Sequence, residues 1–298
     1  MIGELVLVFV AGLITALATG IGAVPFFFVD EFSERWNVGL WGIASGIMVT
    51  VSVLGLVNEG IAYASGGFPT LLISGLLAGV LLVEVSDRVL DNVDLGDQSP
   101  PANDATATQA TDVRSDGAGH DHDEFSMEVQ AVAEGDLKKL VLILGILTVH
   151  SFPEGVAIGV SFANLGFDGG IPLLGFAVLI LAIFMTIAIS IHNIPEGTAI
   201  AIPMRAMGLS KWRMVGAAVF SSLPQPIGAV IAFVFVSWAE SFLPFGFGFA
   251  AGAMIYLVAT EFIPEALETG STLPNHGYRE LLAGFALGTI AMLPILYA

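Results

Sequence analysis

The chain has 298 residues, of which 55% are hydrophobic and 12% are charged, and its mean hydropathy is +0.86. These values exclude an ordinary water-soluble domain and predict a protein embedded in a lipid bilayer. The net charge is −18, but 13 of the 27 acidic residues lie between Asp87 and Asp136, so much of that charge belongs to one hydrophilic segment. The absence of cysteine excludes disulfides and thiolate metal ligands.

Eight apolar runs predict eight transmembrane helices, because most of them are near or above the ~20 residues needed to cross ~30 Å of hydrocarbon. The alternating pattern of a membrane barrel does not occur, so helices are expected to satisfy the backbone in lipid. The predicted fold class is an all-α integral membrane protein whose first span is retained rather than cleaved. In chain order, the predicted spans cover about 2–29, 38–60, 68–86, 139–163, 171–203, 214–238, 245–267 and 280–297.

The basic residues predict which loops face the cytoplasm. If the eight spans are right, every lysine and arginine lies in or beside the loops after spans 1, 3, 5 and 7, and the opposite loops contain none. Because Lys and Arg are retained on the cytoplasmic side during insertion, this segregation predicts that both termini are extracellular. The nine basic residues are Arg35, Arg88, Arg114, Lys138, Lys139, Arg205, Lys211, Arg213 and Arg279.

Residues 91–136 interrupt the apolar pattern with small, polar and acidic residues. Such a segment cannot bury enough apolar area to order itself. We therefore expect a flexible cytoplasmic loop between spans 1–3, at residues 1–90, and spans 4–8, at residues 137–298. Within the loop, the sequence GHDHDE places His120 and His122 among carboxylates. Two interpretations of these histidines stay open: a weak divalent-metal site, or a solvated acidic loop.

Two similar polar motifs occur within the apolar runs, HSFPEG at residues 150–155 and HNIPEG at residues 192–197. In each motif, a histidine and a glutamate are four residues apart and share one helix face. The proline is expected to kink the helix and free a carbonyl, and the glycine to admit a neighbouring backbone or an ion. Each His–Glu pair is therefore suited to hold one ion.

Ionisable side chains in the bilayer interior need a compensating partner. Each costs on the order of 2.5–3.5 kcal/mol at the bilayer centre, and an ion pair within each motif would be a weak reason to keep them. The predicted orientation makes spans 4 and 5 antiparallel, so the kinked motifs can face each other near mid-membrane, as in transporter binding sites. Imidazole and carboxylate ligands favour Zn²⁺, Fe²⁺, Mn²⁺, Co²⁺ or Cd²⁺ over Na⁺ or K⁺.

With these motifs, the chain resembles the ZIP (ZRT/IRT-like protein) family of zinc and iron transporters. The resemblance covers essentially the whole chain, in its eight spans, its outside termini, its histidine-containing loop after span 3 and its two HxxPEG motifs. It implies uptake of divalent transition metals into the cytoplasm by an elevator-like or rocking motion. It also implies a homodimer in the plasma membrane.

The resemblance assigns metal-binding roles to particular residues of the two motifs. The main site would use His150 and Glu154 from span 4 with His192 and Glu196 from span 5. Asn193 would be a ligand of an adjacent site. The metal would thus lie between the two kinked helices.

Three further positions follow from the same resemblance. Ser151 stands where span 4 of the family usually has asparagine, so a weaker oxygen donor replaces an amide there. Met48 corresponds to a methionine that lines the site in some members, although ordinary packing explains it equally well. Gln225 stands where many relatives have a glutamate that helps to bridge a second metal, and a neutral amide binds a divalent cation less tightly. We therefore expect one strong site and a weakened second one.

Acidic residues at the predicted cytoplasmic ends of spans 3 and 7 form a candidate exit relay, unless they only solvate the helix ends. These residues are Glu84, Asp87, Glu261 and Glu265. On the outer side, three acids could concentrate cations at an entrance, but solvated loop acids are the preferred interpretation of Glu59, Asp168 and Glu240.

The predicted function is transport of a divalent metal by alternating access, with Zn²⁺ first and Fe²⁺, Mn²⁺ and Cd²⁺ as further substrates. The expected partners are the metal and the bilayer, with no cofactor and no nucleic acid. No ATP-binding motif occurs, so a metal gradient or a coupled ion is expected to drive transport. The alternative is an intramembrane metal-dependent hydrolase, which is disfavoured because no HExxH motif occurs. A metal sensor without transport would be expected to have an output domain, and the sequence contains none.

Overall fold

The computed structural model describes residues 2–29, 33–63, 68–92, 150–163, 171–173, 176–206 and 208–296. These residues form eight helical segments in the predicted order, named here α1 to α8. Five of them, α1, α2, α5, α6 and α7, are long and apolar enough to cross a membrane, and Thr70–Ser86 is a shorter apolar stretch. The bounds are α1 Ile2–Gly22, α2 Glu34–Ala62, α3 Thr70–Asn92, α4 150–161, α5 Ile180–Ala206, α6 Lys211–Trp238, α7 Glu240–Thr269 and α8 Tyr278–Leu296.

The start of the fifth predicted span is not helical. Strand β1, Ile171–Leu173, pairs antiparallel with strand β2, Phe176–Val178, in a two-stranded hairpin. The prediction of a helix from about residue 171 is therefore wrong over its first turns. Pro172 cannot donate a backbone hydrogen bond and restricts the residue before it to extended conformations, while Phe and Val favour strands. The helix α5 begins only at Ile180, and it continues through Pro195 without a break.

Two helices contain a wide turn of π-helix near their middle. In α2 it covers Val51–Val57 and in α7 it covers Val258–Phe262. A π-turn inserts one extra residue per turn, which rotates the side chains that follow it, and such turns are frequent at functional sites. A third irregularity divides α6, whose first part ends at Ser221 and whose second part begins at Pro224.

Glycine-lined contacts join the helices into two groups. The first, named here the scaffold bundle, contains α2, α3, α7 and α8: α2 packs along α8, and α3 packs along α7. The second, named the motif bundle, contains α1, α4, α5 and α6, with α1 packed on both α5 and α6. In the scaffold bundle, a Cβ atom would overlap the facing backbone at each of Gly42, Gly46, Gly284, Gly288, Gly75, Gly79, Gly248 and Gly252. Such close backbone approach is the usual way in which helices associate in lipid.

Contacts at one end of the molecule agree with the predicted loop pattern. Lys211 Nζ, at the start of α6, donates a 2.9 Å hydrogen bond to the Phe27 carbonyl after α1. Arg35, in the first turn of α2, lies 3.8 Å from Glu280 in the first turn of α8. The loops after spans 1, 5 and 7 therefore lie on the same side. Which compartment this side faces, and with it the extracellular position of the termini, stays a prediction.

Candidate metal site

Three ionisable side chains from α4 and α5 meet in the interior. One ligand atom from each of Glu154, His192 and Glu196 lies within 4.8 Å of the other two. His192 Nε2 is 2.9 Å from Glu154 Oε1, and these side chains are 1% and 4% exposed. The histidine–glutamate contact inside the cluster thus joins the two motifs across the helices. This contact agrees with the expectation that the two motifs face each other, and it does not join a histidine and a glutamate of the same motif.

The cluster contains polar atoms that have no hydrogen-bond partner among the described residues. These atoms are His192 Nδ1, Asn193 Oδ1 and Glu196 Oε2, all three buried. A buried polar atom without a partner loses about 1–3 kcal/mol of solvation, so such atoms need an explanation. A nitrogen, an amide oxygen and a carboxylate oxygen are together a suitable set for a divalent transition metal.

His150 lies beside the cluster but is paired with another helix. Its Nε2 is 2.9 Å from Oε1 and 2.8 Å from Oε2 of Glu261, which is part of the π-turn of α7. Both side chains are largely buried, at 18% and 13% exposure. The predicted fourth ligand is therefore held by a carboxylate of the scaffold bundle, and His150 connects the motif bundle to α7.

Gln225 and Ser151 are buried but are already engaged in hydrogen bonds. Gln225 Nε2 donates to Glu154 Oε2, and its Oε1 accepts from Thr15 and Asn193. Ser151 Oγ donates to the Ser221 carbonyl at 3.1 Å. The structure therefore places both residues around the cluster, with their side chains bonded to protein groups.

Apolar and aromatic residues of the scaffold bundle cover one side of the site. Met48 is 1% exposed and lines a small apolar gap with His192, Ile189 and Met254. The ring of Phe262 stacks on the His192 imidazole with 5.6 Å between ring centroids. Met48 thus lies where the resemblance implies, and the same position is also one of ordinary core packing.

The glycines of the two motifs permit close helix contacts. A Cβ atom at Gly155 would overlap the Gln225 carbonyl, and one at Gly197 would overlap the Thr19 carbonyl. The prediction that these glycines admit a neighbouring backbone is confirmed. They bring α4 against α6 and α5 against α1, which sets the distance between the two motifs.

The predicted exit relay is only partly assembled. Glu84 of α3 accepts hydrogen bonds from Tyr256 and Arg88, whereas Glu261 is bonded to His150. Asp87 lies in the last turns of α3, and Glu265 is half-buried in α7. On the outer side, Glu59 is half-buried and Glu240 is exposed. His120, His122 and Asp168 lie outside the described residues.

Sequence reasoning missed several residues that surround the site. Thr15 and Thr19 of α1 are fully buried and bond to Gln225 and Ser222 of α6. Their spacing of four residues in ITALATG, at residues 14–20, placed both on one face of α1, and this was the available signal. Phe262 lies in the π-turn, and an ideal helical projection of the sequence would not point its ring towards His192.

The fold and the site together define a mostly helical membrane protein whose buried histidine and carboxylates could hold a metal ion. The model of the ZIP Zinc transporter family matches residues 4–295, and the chain belongs to this family. The resemblance inferred from the two motifs is thus confirmed.

Three relatives illustrate the extent of the similarity. The chain is 35% identical over 257 residues to an Arabidopsis thaliana protein named for zinc transport, with 86% of the chain and 34% of that protein covered. It is 37% identical over 150 residues to zinc transporter GufA of Myxococcus xanthus, with 50% and 54% covered. It is 29% identical over 297 residues to zinc transporter ZupT of Stenotrophomonas maltophilia, with 96% and 93% covered. The chain spans about a third to about half of the length of the first relatives that it matches.

Proposed function

We propose that this membrane protein transports divalent transition metals, with Zn²⁺ as the main substrate and Fe²⁺, Mn²⁺ and Cd²⁺ as further ones. The observation that carries the proposal is the buried cluster of Glu154, His192 and Glu196, contributed by two helices. The names of the relatives refer to zinc transport. The competing hypothesis of an intramembrane hydrolase receives no support from a family of zinc transporters.

The composition of the cluster supports a divalent metal over an alkali cation. One imidazole and two carboxylates offer a nitrogen and up to four oxygens, with two negative charges. A dication neutralises both charges, which removes much of the cost of keeping carboxylates in the bilayer interior. The unpartnered His192 Nδ1 and Glu196 Oε2 supply lone pairs that no described protein group uses.

The two helix bundles suggest how the metal crosses. The motif bundle holds the cluster, and side chains of the scaffold bundle contact it near the site, for instance where the Phe262 ring stacks on His192. Among the described glycines, those that touch a facing helix backbone do so within one bundle. Close backbone contacts within each bundle, and their absence among the described glycines between the bundles, favour movement of the motif bundle as a unit. Such a movement would expose the metal to each side of the membrane in turn.

The contact of His150 with Glu261 lies on the boundary between the two bundles. A metal that leaves Glu154 and Glu196 can be received by this pair, because both side chains are metal ligands by type. Glu265 follows Glu261 by four residues on the same face of α7. We propose this order of residues as the route from the cluster towards the cytoplasm.

The decisive test is uptake by purified protein in vesicles. Glu196→Ala removes a cluster carboxylate, and we expect ⁶⁵Zn²⁺ uptake to fall to the background of empty vesicles. The matched control is Glu240→Ala, which removes an exposed carboxylate outside the cluster and should leave the rate unchanged. Uptake at the wild-type rate by well-folded Glu196→Ala would refute the assignment of the site.

The proposal also includes the membrane in which the protein lies and its assembly as a dimer. The sequence-based orientation supports movement of metal into the cytoplasm, and the family resemblance supports a homodimer in the plasma membrane. Light scattering of the purified protein distinguishes the dimer, and a single-chain mass in detergent and in nanodiscs would contradict it.

A further inference from the structure

A continuous set of buried hydrogen bonds runs from α1 to the metal site. Asn193 Nδ2 donates to the Thr15 carbonyl at 2.8 Å and to Gln225 Oε1 at 3.1 Å. Thr15 Oγ1 lies 2.7 Å from the same Gln225 oxygen, and Gln225 Nε2 donates to Glu154 Oε2. Each of these four residues is at most 3% exposed. We name Thr15, Asn193, Gln225 and Glu154 the polar relay.

One group in the polar relay can only accept a hydrogen bond, and this group decides which atoms of the other residues are donors. The Thr15 backbone carbonyl is an acceptor, so it must face the NH₂ group of Asn193 rather than its oxygen. The same NH₂ group then requires an acceptor on Gln225, which places Oε1 there and turns Nε2 towards Glu154. A flipped Gln225 amide would put two NH₂ groups together and an amide oxygen against the carboxylate. The backbone of α1 thus sets the orientation of an amide on α6.

As a consequence, both carboxylate oxygens of Glu154 have a polar partner. Oε2 accepts from Gln225, and Oε1 is paired with His192 Nε2 at 2.9 Å. Gln225 Oε1 has two donors as well, Thr15 and Asn193, and a carbonyl oxygen has two lone pairs. The Gln225 side chain therefore has no lone pair left for a cation in this arrangement.

We propose that Thr15 and Gln225 are positioning residues, which aim the Glu154 carboxylate at the transported metal from outside the ligand cluster. This inference rests on the proposed function and deepens it, because it names residues that act on the metal through Glu154. The Thr15 hydroxyl hydrogen is shared between Gln225 and the Gly12 carbonyl at 2.8 Å. Its removal leaves Gln225 Oε1 with one donor fewer, so that the bonds with Asn193 and Glu154 alone orient the amide.

The test measures Zn²⁺ affinity of the purified full chain in detergent by competition with a chelating dye. Thr15→Val keeps the shape of the side chain and removes the hydroxyl, and Thr15→Ser keeps the hydroxyl. Loss of a group that orients a metal ligand costs about 10–100-fold in metal affinity. We expect the Kd to rise by about 10-fold in Thr15→Val and to stay near the wild-type value in Thr15→Ser.

Thr19→Val is the matched control. Thr19 is one turn further along α1, is equally buried, and its hydroxyl bonds to Ser222 at 2.7 Å instead of to the polar relay. If Thr15→Val and Thr19→Val change the Kd equally, or if neither changes it, Thr15 has no positioning role. If valine at position 15 prevents folding, the pair Thr15→Ala and Thr19→Ala gives the same comparison.

The binding measurement separates this inference from the proposed function. Wild-type protein that binds Zn²⁺ but shows no uptake in vesicles would refute transport and leave the Thr15 comparison valid. Wild-type protein that takes up Zn²⁺, with unchanged affinity in Thr15→Val, would refute the polar relay alone.

Discussion

The two glutamates of the metal site are identical in sequence context, each in a Pro-Glu-Gly triplet, but differ in their surroundings. Both oxygens of Glu154 have partners, whereas Glu196 Oε2 has none among the described residues. The position of the Glu154 carboxylate is therefore fixed by its neighbours, while Glu196 Oε2 keeps lone pairs that no described residue uses. The difference arises from Gln225, whose Nε2 donates to Glu154 on α4, whereas its contact with α5 is made by Oε1 with Asn193 and not with Glu196. A motif repeated in the sequence thus has two different roles in the site.

Gln225→Glu is the substitution that tests the second metal position. A carboxylate at 225 would keep the bonds from Thr15 and Asn193 but would face Glu154 with a like charge. Two adjacent carboxylates are accommodated by a shared proton or by a cation. We expect the bound Zn²⁺ per chain to rise from about one towards two, measured by elemental analysis after dialysis. The neutral control is Gln225→Met, and an unchanged ratio in Gln225→Glu would contradict this role of position 225.

His150 shows the limit of residue-scale prediction. Its identity as a ligand candidate follows from the HSFPEG motif, and the resemblance places it with the other three residues. In the structure, its Nε2 contacts Glu261, 111 residues further along the chain. Spacing along one helix can predict which residues share a face, but it does not say which distant helix faces them.

At the scale of elements, the π-turn of α7 decides how the scaffold bundle meets the site. The turn covers Val258–Phe262 and places Glu261 on His150 and Phe262 on His192. An uninterrupted α-helix would rotate these residues with respect to Met254, which lines the same site. One extra residue in a turn therefore brings both a carboxylate and an aromatic ring to the two motif histidines.

Glu261→Ala tests the contact between α4 and α7. Glu261 is outside the three-residue cluster, so we expect Zn²⁺ affinity to change little and the maximal uptake rate to fall about 10-fold or more, since His150 loses its partner on the exit route. Equilibrium binding and initial uptake rates measured on the same preparation separate the two effects. Thr260→Ala, in the same π-turn, is the control because its exposed hydroxyl bonds only within α7. If Glu261→Ala lowered the Zn²⁺ affinity and the uptake rate by the same factor, Glu261 would be a ligand of the cluster and not a residue of the exit route.

At the scale of the whole molecule, the two bundles divide the eight helices into one group that holds the cluster and one that supports it. The scaffold bundle has reciprocal glycine contacts between α2 and α8 and between α3 and α7. In the motif bundle, Gly155 lies against α6, and Gly197 lies against α1. The described glycines that contact a facing helix backbone do so within one bundle and not across the boundary, so displacement there disrupts fewer of these tight contacts.

A cross-link between the bundles should stop transport if the motif bundle moves as a unit. A Cβ atom at position 246 of α7 would lie 3.8 Å from the Cβ of Val160 in α4, which is the usual separation in a disulfide. The chain has no native cysteine, so Val160→Cys combined with Gly246→Cys gives a single defined bridge. We expect oxidation to arrest Zn²⁺ uptake and a reductant to restore it.

The control cross-link lies within the scaffold bundle. The hydroxyls of Thr50 in α2 and Thr289 in α8 are 3.2 Å apart, so Thr50→Cys with Thr289→Cys should bridge two helices that stay together. Oxidation of this pair should leave uptake unchanged. Full activity of the oxidised 160–246 pair, with bridge formation verified by mass spectrometry, would contradict relative movement of the bundles.

The sequence by itself determined that the chain is an α-helical membrane protein, which loops share a side, and which two motifs supply the histidine and carboxylates of the candidate site. These properties depend on local quantities, namely apolar length, the placement of basic residues and residue type, so they can be read without knowing the contacts. Only the tertiary structure decided that Glu154 pairs with His192, that His150 pairs with Glu261, and that Thr15 is hydrogen-bonded through Gln225 to Glu154. Those contacts join residues far apart in the chain, and they depend on glycine-permitted helix distances and on the π-turn of α7. One residue more or less in a helix rotates the following side chains by about 100° about the helix axis. Hydropathy and residue spacing do not reveal where such an extra residue occurs, so they do not predict these contacts.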